Sequence, residues 1–229
     1  MKRQILFYSV LFMLAACSDG TQIFKNSSDV GNPKMKGSFT YNKVNDMYTL
    51  TGGGYDMWFE RDEFFIVWKE VTGDFKLSAK VAFEGEGTHE LRKMGLIISE
   101  ALEEDARHAN VALHGNALVA LQYRSEKGGE TKEIRSNLTR PYSELHDETE
   151  RESETELDVI IEKPPMPNHL ILERVGNKII MKTGIGTYSN QPDATLEIVL
   201  PQKCFVGLFI CSHEVDLLET GYFWNVRLE

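Results

Sequence analysis

The chain has 229 residues, with 35 acidic against 25 basic side chains and a formal charge of −10 at pH 7. A field of that sign repels phosphate backbones and anionic headgroups, and no basic stripe runs against it, so nucleic acid is excluded as a partner. The length fits one large all-β domain behind a targeting segment, and no internal repeat is present.

In chain order, Lys2 and Arg3 form a short basic region, and Ile5 to Ala16 is an apolar run too short for a stable transmembrane helix. The run ends Leu14-Ala15-Ala16-Cys17, which resembles the lipobox of bacterial lipoproteins. That resemblance implies cleavage of residues 1–16 and a lipid anchor on Cys17. Several acyl chains make such anchoring stable, at about 0.8 kcal/mol per buried CH₂. Ser18 is not the acidic residue that commonly retains such proteins at the inner membrane, so an outer-membrane address is expected. Loss of Lys2 and Arg3 moves the formal charge from −10 to −12. Residues 17–36 are polar and read as a tether.

Residues 37–229 carry short strand signals at close spacing. Phe39 and Tyr41 open them, and Tyr48-Thr-Leu-Thr precedes a Gly52-Gly53-Gly54 breaker. Phe64 to Trp68 is apolar on both faces. Phe75, Leu77, Ala79, Val81 and Phe83 alternate with polar residues. Met94–Ile98 is another strand, and Glu100–Ala106 is a short helical candidate. Later strands are Leu157–Ile161, His169–Val175, Lys178–Lys182, Thr195–Leu200, Phe205–Cys211 and Tyr222–Leu228. Gly176-Asn177 is a two-residue hairpin turn. This pattern predicts an all-β sandwich or barrel.

The stretch His108–Arg135 reads as a three-stranded meander with one apolar and one polar face. His108, Asn110, His114, Gln122, Arg124, Glu133 and Arg135 share the polar face. A loop at Gly115-Asn116-Ala117 sets Asn110 against Gln122 and His108 against Arg124. A two-residue turn at Gly128-Gly129 sets Arg124 against Glu133 and Gln122 against Arg135. The face is either a solvated sheet surface with ordinary cross-strand pairs or a ligand site. As a site, its contacts are His108, Asn110, Gln122 and Arg124, with Arg135 behind them.

Sugar binding wants aromatic faces and planar polar groups. Trp58, flanked by acidic residues, is the better aromatic candidate; Trp68 and Trp224 sit among apolar neighbours and read as core. His213 stands at a strand end, as a pocket rim or a turn residue. His108 and His114 lie about 20 Å apart along a strand, so they cannot share one metal ion, and no cofactor motif is present. Cys204 and Cys211 fall on opposite faces of one strand, about 23 Å apart, and are expected as buried free thiols. Residues 144–156 are a dense acidic run, read as a solvated insertion near 142–166. Glu156, Asp158 and Glu162 come close to a glycosidase carboxylate set but are spread too far along the strand.

Several segments together resemble one family: Tyr48-Thr-Leu-Thr-Gly-Gly-Gly, Met57-Trp-Phe-Glu-Arg-Asp-Glu-Phe-Phe-Ile-Val-Trp-Lys, Gly73-Asp-Phe-Lys-Leu-Ser-Ala-Lys-Val, Lys93-Met-Gly-Leu-Ile-Ile, Leu121-Gln-Tyr-Arg, Val206-Gly-Leu-Phe and Phe223-Trp-Asn-Val-Arg. They are similar to a bacterial domain family, labelled regulation-of-enolase-like, in the concanavalin A-like lectin/glucanase superfamily. The resemblance spans roughly Gly37–Glu229 outside the acidic insertion. It implies a concanavalin A-like jelly-roll sandwich of two antiparallel sheets and a glycan partner, without a catalytic motif. The expectation is a lipid-anchored envelope protein that binds a carbohydrate without catalysis. The alternatives are a glycoside hydrolase or lyase of the same superfamily and an assembly lipoprotein with a protein partner. On this reading Arg124 is a surface contact that the fold does not need.

Overall fold

The computed structural model describes residues 21–136, 166, 168–186 and 191–229. Every regular element among them is a strand, and every pairing is antiparallel. One seven-stranded sheet is ordered β1 (Asn26–Val30), β6 (Phe64–Thr72), β15 (Lys203–Cys211), β8 (Lys93–Ser99), β9 (His108–His114), β10 (Val119–Arg124) and β11 (Lys132–Arg135). The other, also seven-stranded, is ordered β14 (Ala194–Glu197), β13 (Lys178–Gly184), β12 (His169–Val175), β7 (Phe75–Phe83), β16 (Glu214–Leu228), β3 (Met47–Gly54) and β2 (Ser38–Asn42). A short hairpin, β4 (Met57–Trp58) and β5 (Arg61–Asp62), stands apart. The chain passes repeatedly between the two sheets. This is a concanavalin A-like jelly-roll sandwich.

Alternation decides which side chains meet between the sheets. Phe75, Leu77, Ala79 and Val81 of β7 pack against Met94, Leu96 and Ile98 of β8 and Val206, Leu208 and Ile210 of β15 in one buried cluster. The strands that read as apolar on both faces have a second apolar layer. Phe64, Ile66, Phe209 and Cys211 point away from the main core and pack with Val30, Ile97 and Ala112 of the same sheet and with Met57 of the hairpin. The β4–β5 hairpin thus lies over the outer face of the first sheet. Cys204 belongs to the main core and Cys211 to the outer layer; both are free and buried. Trp68 is half-buried, edge-on to Phe205 at 5.0 Å, with its indole donating to Ser28 Oγ.

Three expectations are corrected. The polar segment 17–36 is more than a tether from about residue 23 onward, because Phe24 is fully buried in the main core and Asn26–Val30 pairs with β6. Tyr48 holds this entry: its hydroxyl accepts from the amides of Ile23 and Phe24 at 2.6 and 2.9 Å. Polar composition misled here because an edge strand turns many of its side chains outward. Glu100–Ala106 is not helical but a run of bends and turns. Its backbone is engaged elsewhere: Ser99 Oγ donates to the Ala101 carbonyl, and the Asp62 amide donates to that of Glu104. The turn at Gly128-Gly129 is also wider than two residues. Gln122 faces Glu133 and Ala120 faces Arg135, a slip of two positions that keeps the polar face polar. The first turn is as read, with Asn110 opposite Gln122 and His108 opposite Arg124. The strand read at Leu157–Ile161 and the acidic run 144–156 lie outside the described residues.

Candidate functional site

The outer face of the first sheet can be built row by row from its register. One row runs Gly95, Ala112, Ala120, Arg135; the next runs Ile97, Asn110, Gln122, Glu133; the third runs Ser99, His108, Arg124. On the far side of the first row, Lys93 faces His114. Beside these rows His114 Nε2 and Gln122 Nε2 lie 3.4 Å apart. The result is a cleft of about 190 Å³ lined by Asp56, Trp58, Leu91, Lys93, His114, Leu118, Gln122, Glu133, Arg135 and His213.

Two connections supply much of the wall. The β4–β5 hairpin supplies Asp56 and Trp58; it is closed by the Glu63 amide on the Asp56 carbonyl at 2.7 Å, with Asp56 Oδ1 accepting from the Met57 amide at 2.7 Å. The turn between β15 and β16 supplies His213, in the left-handed region at φ 60°. Ser212 Oγ spans that turn by donating to the Glu214 carbonyl at 2.7 Å. His213 is therefore both a turn residue and a rim residue. Its ring lies 4.1 Å from that of His89 and is stacked with Tyr55 at 6.3 Å.

The charges in the cleft are paired. Lys93 Nζ, only 3% exposed, donates to Asp56 Oδ1 at 2.5 Å, and His213 Nδ1 lies 3.4 Å from the same oxygen. Burial alone would push the Asp56 carboxyl up, but His213 and the Lys93 ammonium outweigh it and hold the group well below the usual carboxylate range. Arg135 Nε donates to Glu133 Oε1 at 2.7 Å. His114 is buried, and burial followed by the nearby Lys93 charge brings its imidazole down to about 3. It is neutral at physiological pH, with Nδ1 3.2 Å from the Leu118 carbonyl.

Beside the cleft lies a second, wholly buried constellation. Arg124 is 0% exposed. Its guanidinium grips Asp62 with both terminal nitrogens, at 2.6 and 2.9 Å. It also donates to the carbonyls of Gly129, Glu104, Ala106 and Phe59 and to Thr131 Oγ1. His108 is 2% exposed and sits 3.4 Å from Asp62 Oδ2; burial lowers its pKa against the pull of that carboxylate.

Of the residues singled out from sequence, Trp58, Gln122, Arg135 and His213 surround one cleft. Asn110 lies beside it, fully buried next to Gln122. His108 and Arg124 are corrected from surface contacts to buried ties, because Asp62 and four carbonyls consume the guanidinium. Glu133 is likewise corrected: it pairs with Arg135 and accepts from Gln122, and does not meet Arg124. Sequence reasoning missed Asp56, Lys93, Leu91 and Leu118. A lysine opening the apolar run Met94–Ile98 was the available signal for Lys93, since a buried ammonium demands a carboxylate. Among the described residues no group of three or more metal-binding side chains converges. Cys17 lies outside the described residues.

No family model matches the chain, and no curated protein does. Among solved structures, it is similar to a functionally unknown protein from Saccharomyces cerevisiae, at 13% identity and TM-score 0.56, covering 89% of this chain and 95% of that one. It is also similar to the Bacteroides ovatus xyloglucan PUL GH43B, at 12% identity and TM-score 0.50, covering 91% of this chain and 38% of that one. A glycoside hydrolase family 16 endo-glucanase from Bacteroides ovatus aligns at 8% identity and TM-score 0.48, covering 92% of this chain and 98% of that one. The first two establish the shared fold.

Two outcomes follow from the buried groups. Arg124→Ala lowers the unfolding free energy by about 3–5 kcal/mol, the scale of a broken buried ion pair. Arg124→Lys also destabilises, since a lysine cannot fork onto Asp62. Urea unfolding checks both, and a loss under about 1 kcal/mol for Arg124→Ala contradicts the assignment. For His114, the unfolded imidazole titrates near ~6.5 and the folded one at about 3. Its contribution is therefore complete above the unfolded value and is lost as pH falls toward the folded one. Between pH 7 and 4.5 the wild type loses about 2–3 kcal/mol through this group. His114→Gln flattens the stability–pH curve by that amount; an unchanged slope refutes the reading.

Proposed function

We propose that this protein binds carbohydrate in the cleft between Trp58 and Gln122, as a non-catalytic module of the cell envelope held to the outer membrane by lipid on Cys17. One observation carries the reading. A half-exposed tryptophan faces a floor of buried amide and imidazole groups, flanked by two ion pairs, on the outer face of a sheet. Aromatic walls suit the apolar faces of a sugar ring, and planar polar groups suit its hydroxyls. The volume, about 190 Å³, falls below the roughly 300–1,000 Å³ of drug-sized pockets and suits a single monosaccharide unit at the end or side of a chain. A sandwich of this fold is present in a structure whose name includes xyloglucan, which supports the same direction, as does the resemblance to the regulation-of-enolase-like family.

The hydrolase alternative requires one carboxyl kept protonated as an acid and another near it. Asp56 is tied to Lys93 and His213 and held ionised, so it cannot donate a proton at neutral pH. Glu133 is engaged by Arg135 and Gln122. These attachments favour binding over bond cleavage.

A glycan array probed with the chain from Ser18 onward tests the proposal. The truncation keeps Phe24 and β1, which a start at residue 37 would remove from the sheet. At least one glycan class is expected to bind, and Trp58→Ala to weaken it about tenfold, the effect of losing ~1.4 kcal/mol of ring contact. Binding unaffected by Trp58→Ala places the ligand elsewhere. The anchor is tested by growing cells expressing the full chain with labelled fatty acid. Label is expected on the wild type and absent from Cys17→Ala, and equal labelling of both removes the anchor.

A further inference from the structure

The cleft, at about 190 Å³, holds one sugar unit, so the next unit of a chain has to lie over its rim. On the carbohydrate reading, on which this inference rests, the rim beside His213 supplies a surface for it. There the chain leaves β3 at Gly54, which faces Glu214 at the start of β16. Gly54 has φ +129°, and a side chain at this position would collide with the Glu63 carbonyl, so glycine makes the turn. The residue that follows is Tyr55. Its amide donates to Glu63 Oε2 at 3.3 Å, and the Asp56 carbonyl accepts from the Glu63 amide at 2.7 Å. The backbone at Tyr55 is thereby pinned to the returning arm of the hairpin.

The two neighbours then point in different directions. Asp56 turns inward, with its side chain 14% exposed, to Lys93 and His213. Tyr55 is 54% exposed. Its ring is nonetheless braced. It lies within 12° of parallel to the His213 imidazole, with centroids 6.3 Å apart, and His213 in turn packs on His89 at 4.1 Å. Because His213 also lines the cleft, the Tyr55 ring begins where the cleft wall ends. A tyrosine so placed offers a broad apolar face with a polar tip, and it has few side-chain rotations to lose on binding. A sugar ring presents C–H groups on its faces and hydroxyls around its edge, which suit that face and that tip.

Phe59 is the other open aromatic of the hairpin, 57% exposed at its tip with φ 54°. The fold uses its carbonyl, which accepts from Arg124 Nη2 at 3.0 Å and from the Thr131 amide at 2.8 Å. Its ring does not line the cleft, and the tip lies at the far end of the hairpin from Tyr55.

We propose that Tyr55 is the platform of a second sugar subsite, so that the protein binds a chain of at least two units, one in the cleft and the next stacked on Tyr55 beyond His213.

The test is a titration of the purified protein with glucose, galactose, mannose and xylose and with their β-1,4-linked di-, tri- and tetrasaccharides, followed through the Trp58 indole resonance. Affinity is expected to rise about tenfold from monosaccharide to disaccharide of the sugar that binds. Tyr55→Ala is expected to remove that gain while leaving the monosaccharide affinity within about twofold of wild type, and Tyr55→Phe to keep most of it. A tyrosine needed only to shape the rim would weaken monosaccharide and chain alike, which overturns the subsite. So does an affinity that is independent of chain length, or a gain lost in Phe59→Ala and kept in Tyr55→Ala. Each of these leaves the carbohydrate reading intact. Absence of binding to every sugar overturns both.

Discussion

The fork between Arg124 and Asp62 is the constraint on which the functional face depends. Arg124 ends β10, next to the edge strand β11, and Asp62 ends the small β4–β5 hairpin. Through one guanidinium, the hairpin carrying Trp58, the loop at 100–107 and the turn at 125–131 are drawn to a single point. Backbone bonds repeat the same convergence: Asp62 to Glu104, Thr131 to Phe59 and Gly128 to Asp105, at 2.7 to 2.8 Å. A bare sheet face would be flat and wet. With the hairpin fastened over one end, the other end becomes a cleft with a roof. A buried charge of this kind contributes less through its own attraction than through the cost of leaving either partner alone. That makes the geometry all-or-none.

The sandwich was legible because alternation is a local signal. The clean period of β7 and the double-sided greasiness of β6 and β15 each report their surroundings directly. The polar face of β9, β10 and β11 was legible for the same reason, and it survived a register error. A slip of two residues exchanges partners along a row without turning any side chain over. The depth of that face was not legible. Whether Arg124 meets water or Asp62 depends on a hairpin 62 residues earlier in the sequence, and no periodicity within the strand encodes it. His108 was misjudged alongside it for the same reason. Lys93 and Asp56 form a buried pair whose halves lie on a strand and on a separate hairpin, so each alone looked like an ordinary surface charge.

Not every buried polar group on this face is tied down. Arg124, Asp62 and Lys93 have hydrogen-bond partners within the protein. Asn110 and the oxygen of Gln122, sealed from solvent, do not. Polar groups are usually satisfied when they are buried this deeply, and stability is conceded where they are not.

The most direct measurement is a titration with oligosaccharides followed by NMR on the side-chain amide resonances of Gln122 and the indole resonance of Trp58, both of which line the cleft. Saturable shifts centred on those two side chains, with the backbone of the opposite sheet unmoved, are the predicted result. Shifts confined to the other sheet, or none at saturating sugar, would contradict the account.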